Sequence, residues 1–141
     1  MKRFLMLLAL PVLLGAAAPA GVTAEHPWMR YLLPNIPAGG YLTLRNDAGT
    51  PAVLTGASSP ACGALMLHKS EDVSGMAMMA MVPSITIPAH GAVSFAGGGY
   101  HLMCMKPKMK LGERVPVTLN FQDGATLALT MKVYGPAGPG Q

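Results

Sequence analysis

The sequence predicts an all-β domain, and three observations carry that expectation. Beyond about residue 24 the apolar residues come in short or alternating runs. Gly, Pro, Asn and Asp separate those runs at fairly even spacing. No stretch of useful length shows the apolar period of an amphipathic helix. Many short strands of this kind close into a sandwich or barrel, and 141 residues suffice for one such domain with a real core.

Residues 1–24 read as a leader. Lys2 and Arg3 precede an apolar run from Phe4 to Gly15, and Ala16 to Ala20 and then Val22-Thr23-Ala24 supply small residues for cleavage. Cleavage is expected after Ala24, with Ala20 as second choice. Pro11 interrupts the run, which is short for a membrane span of about 20 residues. No Cys follows it, so a lipid anchor is not expected.

The domain is expected over residues 25–134. Gly40 to Arg45 is a strand ending at Asn46-Asp47-Ala48-Gly49, and Pro51 to Thr55 is a second. Ala64 to His68 follows the Ser59-Pro60 break as a third. Ser84 to Pro88 and Ala92 to Phe95 flank the turn His90-Gly91. Tyr100 to Met105 follows Gly97-Gly98-Gly99, and Val115 to Phe121 and Ala125 to Val133 make a hairpin turned at Gln122-Asp123-Gly124. Met76 to Met81 is expected to be a loop between strands. The Gly/Pro tail 135–141 offers almost nothing to bury and is expected to be disordered.

Composition narrows the function classes. Removing Lys2 and Arg3 leaves eight basic residues against six acidic, a net charge of +2 with His neutral, which gives no reason to expect nucleic acid as a partner. Lys106, Lys108 and Lys110 alternate and form a solvated edge. Aromatic residues are only 6% of the chain, so the core must be largely aliphatic with some of the twelve methionines filling it. In an oxidising compartment Cys62 and Cys104 are more readily a disulfide than two free thiols. No nucleophile, base and carboxylate fall in a recognisable catalytic pattern, so the chain is not expected to be an enzyme.

The sharpest local feature is His101-Leu102-Met103. Residues two apart on a strand share a face, with Cα atoms roughly 6.5 Å apart, so His101 and Met103 can address one ion while Leu102 points to the core. His68 closes another strand, and Met76, Met78, Met79 and Met81 follow it. Thioether and imidazole together suit Cu(I). Structural zinc prefers thiolate, imidazole or carboxylate, and calcium and magnesium require oxygen. Four neutral donors leave the ion's charge uncompensated, which suits a transferable ion. His26 and His90 fall in an N-terminal segment and a turn, where exposure is the simpler reading.

At this point the sequence resembles the periplasmic copper chaperones of the PCu(A)C family, whose motif is His, ten residues, Met, twenty-one residues, then His-x-Met. His68, Met79, His101 and Met103 fit both spacings. The flanks Gly40-Tyr41-Leu42-Thr43-Leu44, Ser58-Ser59-Pro60-Ala61, Ile87-Pro88-Ala89 and Gly98-Gly99-Tyr100 agree as well. The resemblance implies a cupredoxin-like Greek-key β-sandwich or barrel. It further implies a periplasmic chaperone, a likeness to carriers that hold one Cu(I) through these four residues and pass it towards the apo Cu(A) domain of cytochrome c oxidase or another periplasmic copper protein. It selects Met79 from the cluster of four. Cys62 and Cys104 lie outside the family motif, and the tail lacks the His/Met-rich extension of some relatives, so one site and a monomer free of the membrane are expected. A copper-buffering protein would use the same site. A blue-copper protein would need a thiolate with the two His, and a thiol-disulfide reductant would need a reactive Cys pair.

Overall fold

A computed structural model describes residues 19–140. Most of the expected leader (residues 1–18) and Gln141 lie outside the described residues. Within them the chain forms β1 (Val22–Arg30), β2 (Ala38–Asn46), β3 (Ala52–Ser58), β4 (Ala64–Val73), β5 (Met76–Met81), β6 (Ile85–Ile87), β7 (Gly91–Phe95), β8 (Tyr100–Met105), β9 (Arg114–Phe121) and β10 (Thr126–Tyr134). The described residues contain no helix.

Seven of these strands close a barrel in the order β4-β8-β2-β1-β10-β9-β3, and the Ala57–Leu65 pairing returns β3 to β4. All pairings are antiparallel except β1 against β10. Three strands lie off the ring: β5 on β4, β6 on β3, and β7 on β2. The expected all-β barrel is therefore the observed fold.

The alternation read from the sequence fills the barrel. Leu42, Leu44, Leu54, Leu65, Leu67, Leu102, Val115, Val117, Leu119 and Val133 are buried. Phe95 and Phe121 are the buried aromatics among the described residues, and Met29, Met109 and Met131 take up volume that rings would otherwise fill. Asn46 is the buried amide at the end of β2. Its Nδ2 donates to the Thr50 and Ile87 carbonyls at 2.9 and 3.2 Å, and its Oδ1 accepts from the Ala48 N–H. Satisfied in this way, it ties β2 to the following turn and to β6.

Three stretches differ from expectation. Residues 76–81, expected as a loop, are strand β5, joined to β4 through Ser74 and Gly75 at φ +53° and +80°. Two consecutive positive φ values are the signature of a tight hairpin turn. Consequently β4 runs on to Val73, and His68 sits in mid-strand instead of at a strand end. β1 also starts inside the stretch that reads as leader, and Val22, opposite Asn46, is buried. A bulge between Glu25 and Trp28, with His26 at φ +50°, breaks the alternation that would have marked this strand. Residues 135–140, expected to be disordered, contain a turn closed by the Gly138 N–H donating to the Gly135 carbonyl, and Gly138 lies against the Trp28 indole.

Cys62 and Cys104 are joined, with Cα atoms 5.3 Å apart. Lys106, Lys108 and Lys110 are exposed as expected, but they follow the end of β8 in an irregular segment where Pro107 and Met109 turn inward. The disulfide closes a separation of 42 residues, for which loop-closure entropy gives about 4 kcal/mol. Denaturant unfolding of Cys62→Ala/Cys104→Ala should show a loss of about 2–4 kcal/mol; an unchanged midpoint would show that the bridge constrains nothing.

Candidate metal centre

β4 and β8 run antiparallel with Leu67 opposite Leu102 and His68 opposite His101. Alternation then sorts the side chains. Leu65, Leu67, Leu102 and Cys104 turn into the barrel and are buried, while Met66, His68, His101 and Met103 share the outer face. The same rule extends across the hairpin, where Met81 pairs with His68 and Met79 with Ser70. Met79 and Met81 therefore lie on the His68 face. Met76 and Met78, opposite Val73 and Glu71, lie on the other.

All four residues expected to bind the ion thus meet on one face of three adjacent strands. His101, Met103 and Met79 also line one recess of about 320 Å³, together with Arg30, Gly39 and Tyr41. His68 does not line it, but its ring lies 5.6 Å from that of His101 between centroids and is inclined by 55°. His101 is only 5% exposed, whereas Met79 is 64% exposed at the free edge. The centre is therefore rigid on its imidazole side and open on its thioether side.

The ring nitrogens are poised for a Lewis acid. His68 Nδ1 and His101 Nε2 are buried without a hydrogen-bond partner, and a buried polar atom left so costs about 1–3 kcal/mol. His101 Nδ1 lies 3.3 Å from the Gly99 carbonyl. An N–H donated there leaves Nε2 as a bare lone pair. Burial, and secondarily the positive charge His101 can carry, push the His68 pKa below its ordinary value. Both causes favour the neutral, ligating form.

The donor chemistry is soft. Among the described residues no three His, Cys, Asp or Glu side chains converge as a metal-binding group, and the side chains that share the face of the two imidazoles include the Met66, Met79, Met81 and Met103 thioethers. Arg30 brings a fixed positive charge to the recess, its guanidinium 5.4 and 5.3 Å from the Trp28 and Tyr41 ring centroids. Neutral donors beside a cation favour a singly charged ion over a doubly charged one. Gly39 stands opposite Met103, and the Tyr41 hydroxyl lies 2.9 Å from where a Cβ on it would sit. The missing side chain keeps the recess open beside the Met103 thioether.

Cys62 and Cys104 supply no thiolate, since they are bonded to each other and Cys104 is fully buried on the inner face. A blue-copper arrangement is therefore not formed. His26 and His90 are exposed and distant in topology, at the β1 bulge and the turn before β7. The sequence reading missed Met66, Arg30 and Tyr41. Met66-x-His68 mirrors His101-x-Met103, and that symmetry was available to find Met66.

Fold and face together define a small β-barrel that carries two imidazoles and several thioethers on one patch of its outer surface. The chain belongs to the LpqE-like family: the family described as "Putative lipoprotein LpqE-like" matches residues 22–133. A protein of Leifsonia xyli subsp. xyli with the same lipoprotein description is 30% identical over 116 residues, covering 80% of this chain and 69% of that one. Among solved structures, the Cu(I) form of DR1885 from Deinococcus radiodurans is 35% identical with a TM-score of 0.66, over 82% of this chain and 79% of that one. The copper-bound PCuAC domain from PmoF2 is 25% identical with a TM-score of 0.69, over 87% of this chain and all of the domain. The expected kinship with the PCuAC copper chaperones is thereby borne out.

An NMR titration should place the His68 pKa below the free-imidazole value of about 6.5, and His101→Gln should bring it part of the way back. Because the folded value is the lower one, stability from neutral His68 is complete above the unfolded pKa and declines as pH falls through it. A His68 that titrates at or above the free value would contradict the burial described.

Proposed function

We propose that the protein binds one Cu(I) through His68, Met79, His101 and Met103 and hands it to another copper protein outside the cytoplasm, catalysing no reaction itself. The observation that carries this reading is the register of β4 against β8, which sets two imidazoles, each with one unpartnered buried ring nitrogen, side by side on the face that Met103 shares. Met79 completes the set from the hairpin. Support comes from the solved relatives named for their copper or Cu(I) content.

Delivery fits the charge and the exposure. Four neutral ligands do not neutralise the ion, and at least one lies at an open edge, so an incoming thiolate or thioether can take over the ion one ligand at a time. The recipient implied by the resemblance is an apo Cu(A) domain of cytochrome c oxidase. The family description supports export to the cell envelope. The place of β1 favours the second cleavage position. Cleavage after Ala20 keeps the buried Val22 paired with Asn46, whereas cleavage after Ala24 removes it. Mass spectrometry of the secreted chain should therefore find Gly21 at the N-terminus, and a Glu25 terminus would refute that preference.

Titration with Cu(I) against a chromophoric chelator should show one ion per chain. Single changes of His68, His101 or Met103 to Ala should cost more than the roughly 10–100-fold that loss of an outer-shell partner costs. Met79→Ala should weaken binding, while Met78→Ala, on the opposite hairpin face, should leave it unchanged. The reverse result would put the ligand register out by one. Incubation of the loaded protein with an apo Cu(A) domain separates delivery from storage, since a buffering protein would retain its ion.

A further inference from the structure

We propose that Met66 and Met81, together with His68, form a second position for the same soft monovalent ion, onto which Cu(I) steps as it leaves His101 and Met103. The inference rests on the copper-binding reading above and concerns the route of the ion rather than its binding.

The geometry follows from how β4 shares one of its edges. Up to Leu65 that edge is paired with β3, and from His68 onward it is paired with β5. Between the two partners the sheet splits, and the Val82 N–H donates to the Leu67 carbonyl at 2.9 Å there. The split opens a recess of about 380 Å³ whose wall includes both Met66 and Met81. Neither lines the recess that holds His101, Met103 and Met79. His68 lines neither recess but links the donors of both through strand pairing. It is opposite His101 on one side and opposite Met81 on the other, with Met66 two residues away on the same face.

Directly opposed residues on a sheet bring their Cβ atoms within about 4.5–5.5 Å, and flexible thioethers cover the remaining distance. Met66 is likewise opposite Met103. Each donor of the first position thus has a neighbour in the second, and the ion can keep His68 while Met66 and Met81 replace His101 and Met103. All donors are neutral, so the charge is the same in both positions and no oxidant or reductant is needed. Met81 is 68% exposed, so an acceptor can reach the second position directly.

The test uses the whole chain with Ag(I) as a redox-inert probe of the Cu(I) positions and ¹³C-methyl-methionine NMR as the readout. In His101→Leu/Met103→Leu, one Ag(I) should still bind, more weakly than in the wild type, and the Met66 and Met81 methyl signals should shift. Adding Met66→Leu and Met81→Leu should abolish that residual binding, whereas adding Met79→Leu should not. Thermal melts of each variant establish that the barrel is intact. Loss of all binding in the folded His101→Leu/Met103→Leu variant, or residual binding indifferent to Met66 and Met81, overturns the second position while leaving the first. A wild-type chain that binds no Cu(I) overturns the copper-binding reading itself.

Discussion

The pairing of β4 with β8 is the constraint on which both the core and the metal centre depend. Because side chains alternate along a strand, one register decides two things at once. It buries Leu65, Leu67, Leu102 and Cys104, and it sets Met66, His68, His101 and Met103 together on the outside. A slip of one residue in either strand would turn that strand's imidazole into an aliphatic interior and expose its leucines. The Cys62–Cys104 bridge anchors β8 from within. Cys104 is adjacent to Met103 in sequence yet on the opposite face, so the bridge holds the ligand strand without competing for the ion.

Methionine serves two unlike purposes in this chain. In the barrel, Met29, Met109 and Met131 fill gaps that a chain poor in aromatics cannot fill with rings. On the outer face and the β4–β5 hairpin, the same flexibility provides soft donors that move to meet an ion. The hairpin projects past the barrel's closed ring, so its outer edge is unpaired and its methionines are exposed. That exposure is costly for a fold, and under the proposed function it leaves the ion within reach of an acceptor. Imidazoles held by paired strands on one side and thioethers on an open edge on the other combine defined geometry with access.

Arg30 tunes the centre from a distance. It is held over Trp28 and Tyr41 on the neighbouring strands β1 and β2 and places a permanent cation in the recess wall. In the low dielectric of a partly closed recess such a charge weighs more heavily against a doubly charged ion than against a singly charged one. Soft neutral donors and a nearby cation thus act in the same direction.

Much of this was legible in the sequence because it depends on local chemistry and on spacing. Alternating runs and turn residues marked eight of the strands, and the His101-x-Met103 spacing defined a shared face on one of them without reference to any other. The His and Met spacings carried the family resemblance and selected Met79. Only the tertiary structure decided what depends on register between distant strands. That His68 faces His101 follows from β4 lying beside β8, and no pattern within either strand encodes it. β5 was invisible because Met-Ala-Met-Met-Ala-Met is apolar without alternation, and its strand character comes from the turn at Ser74-Gly75 and the β4 edge it pairs with. Met66 likewise joins the soft-donor face only because the fold sets it opposite Met103. The sequence determined which atoms could bind a soft ion; pairing across the sheet determined which of them meet.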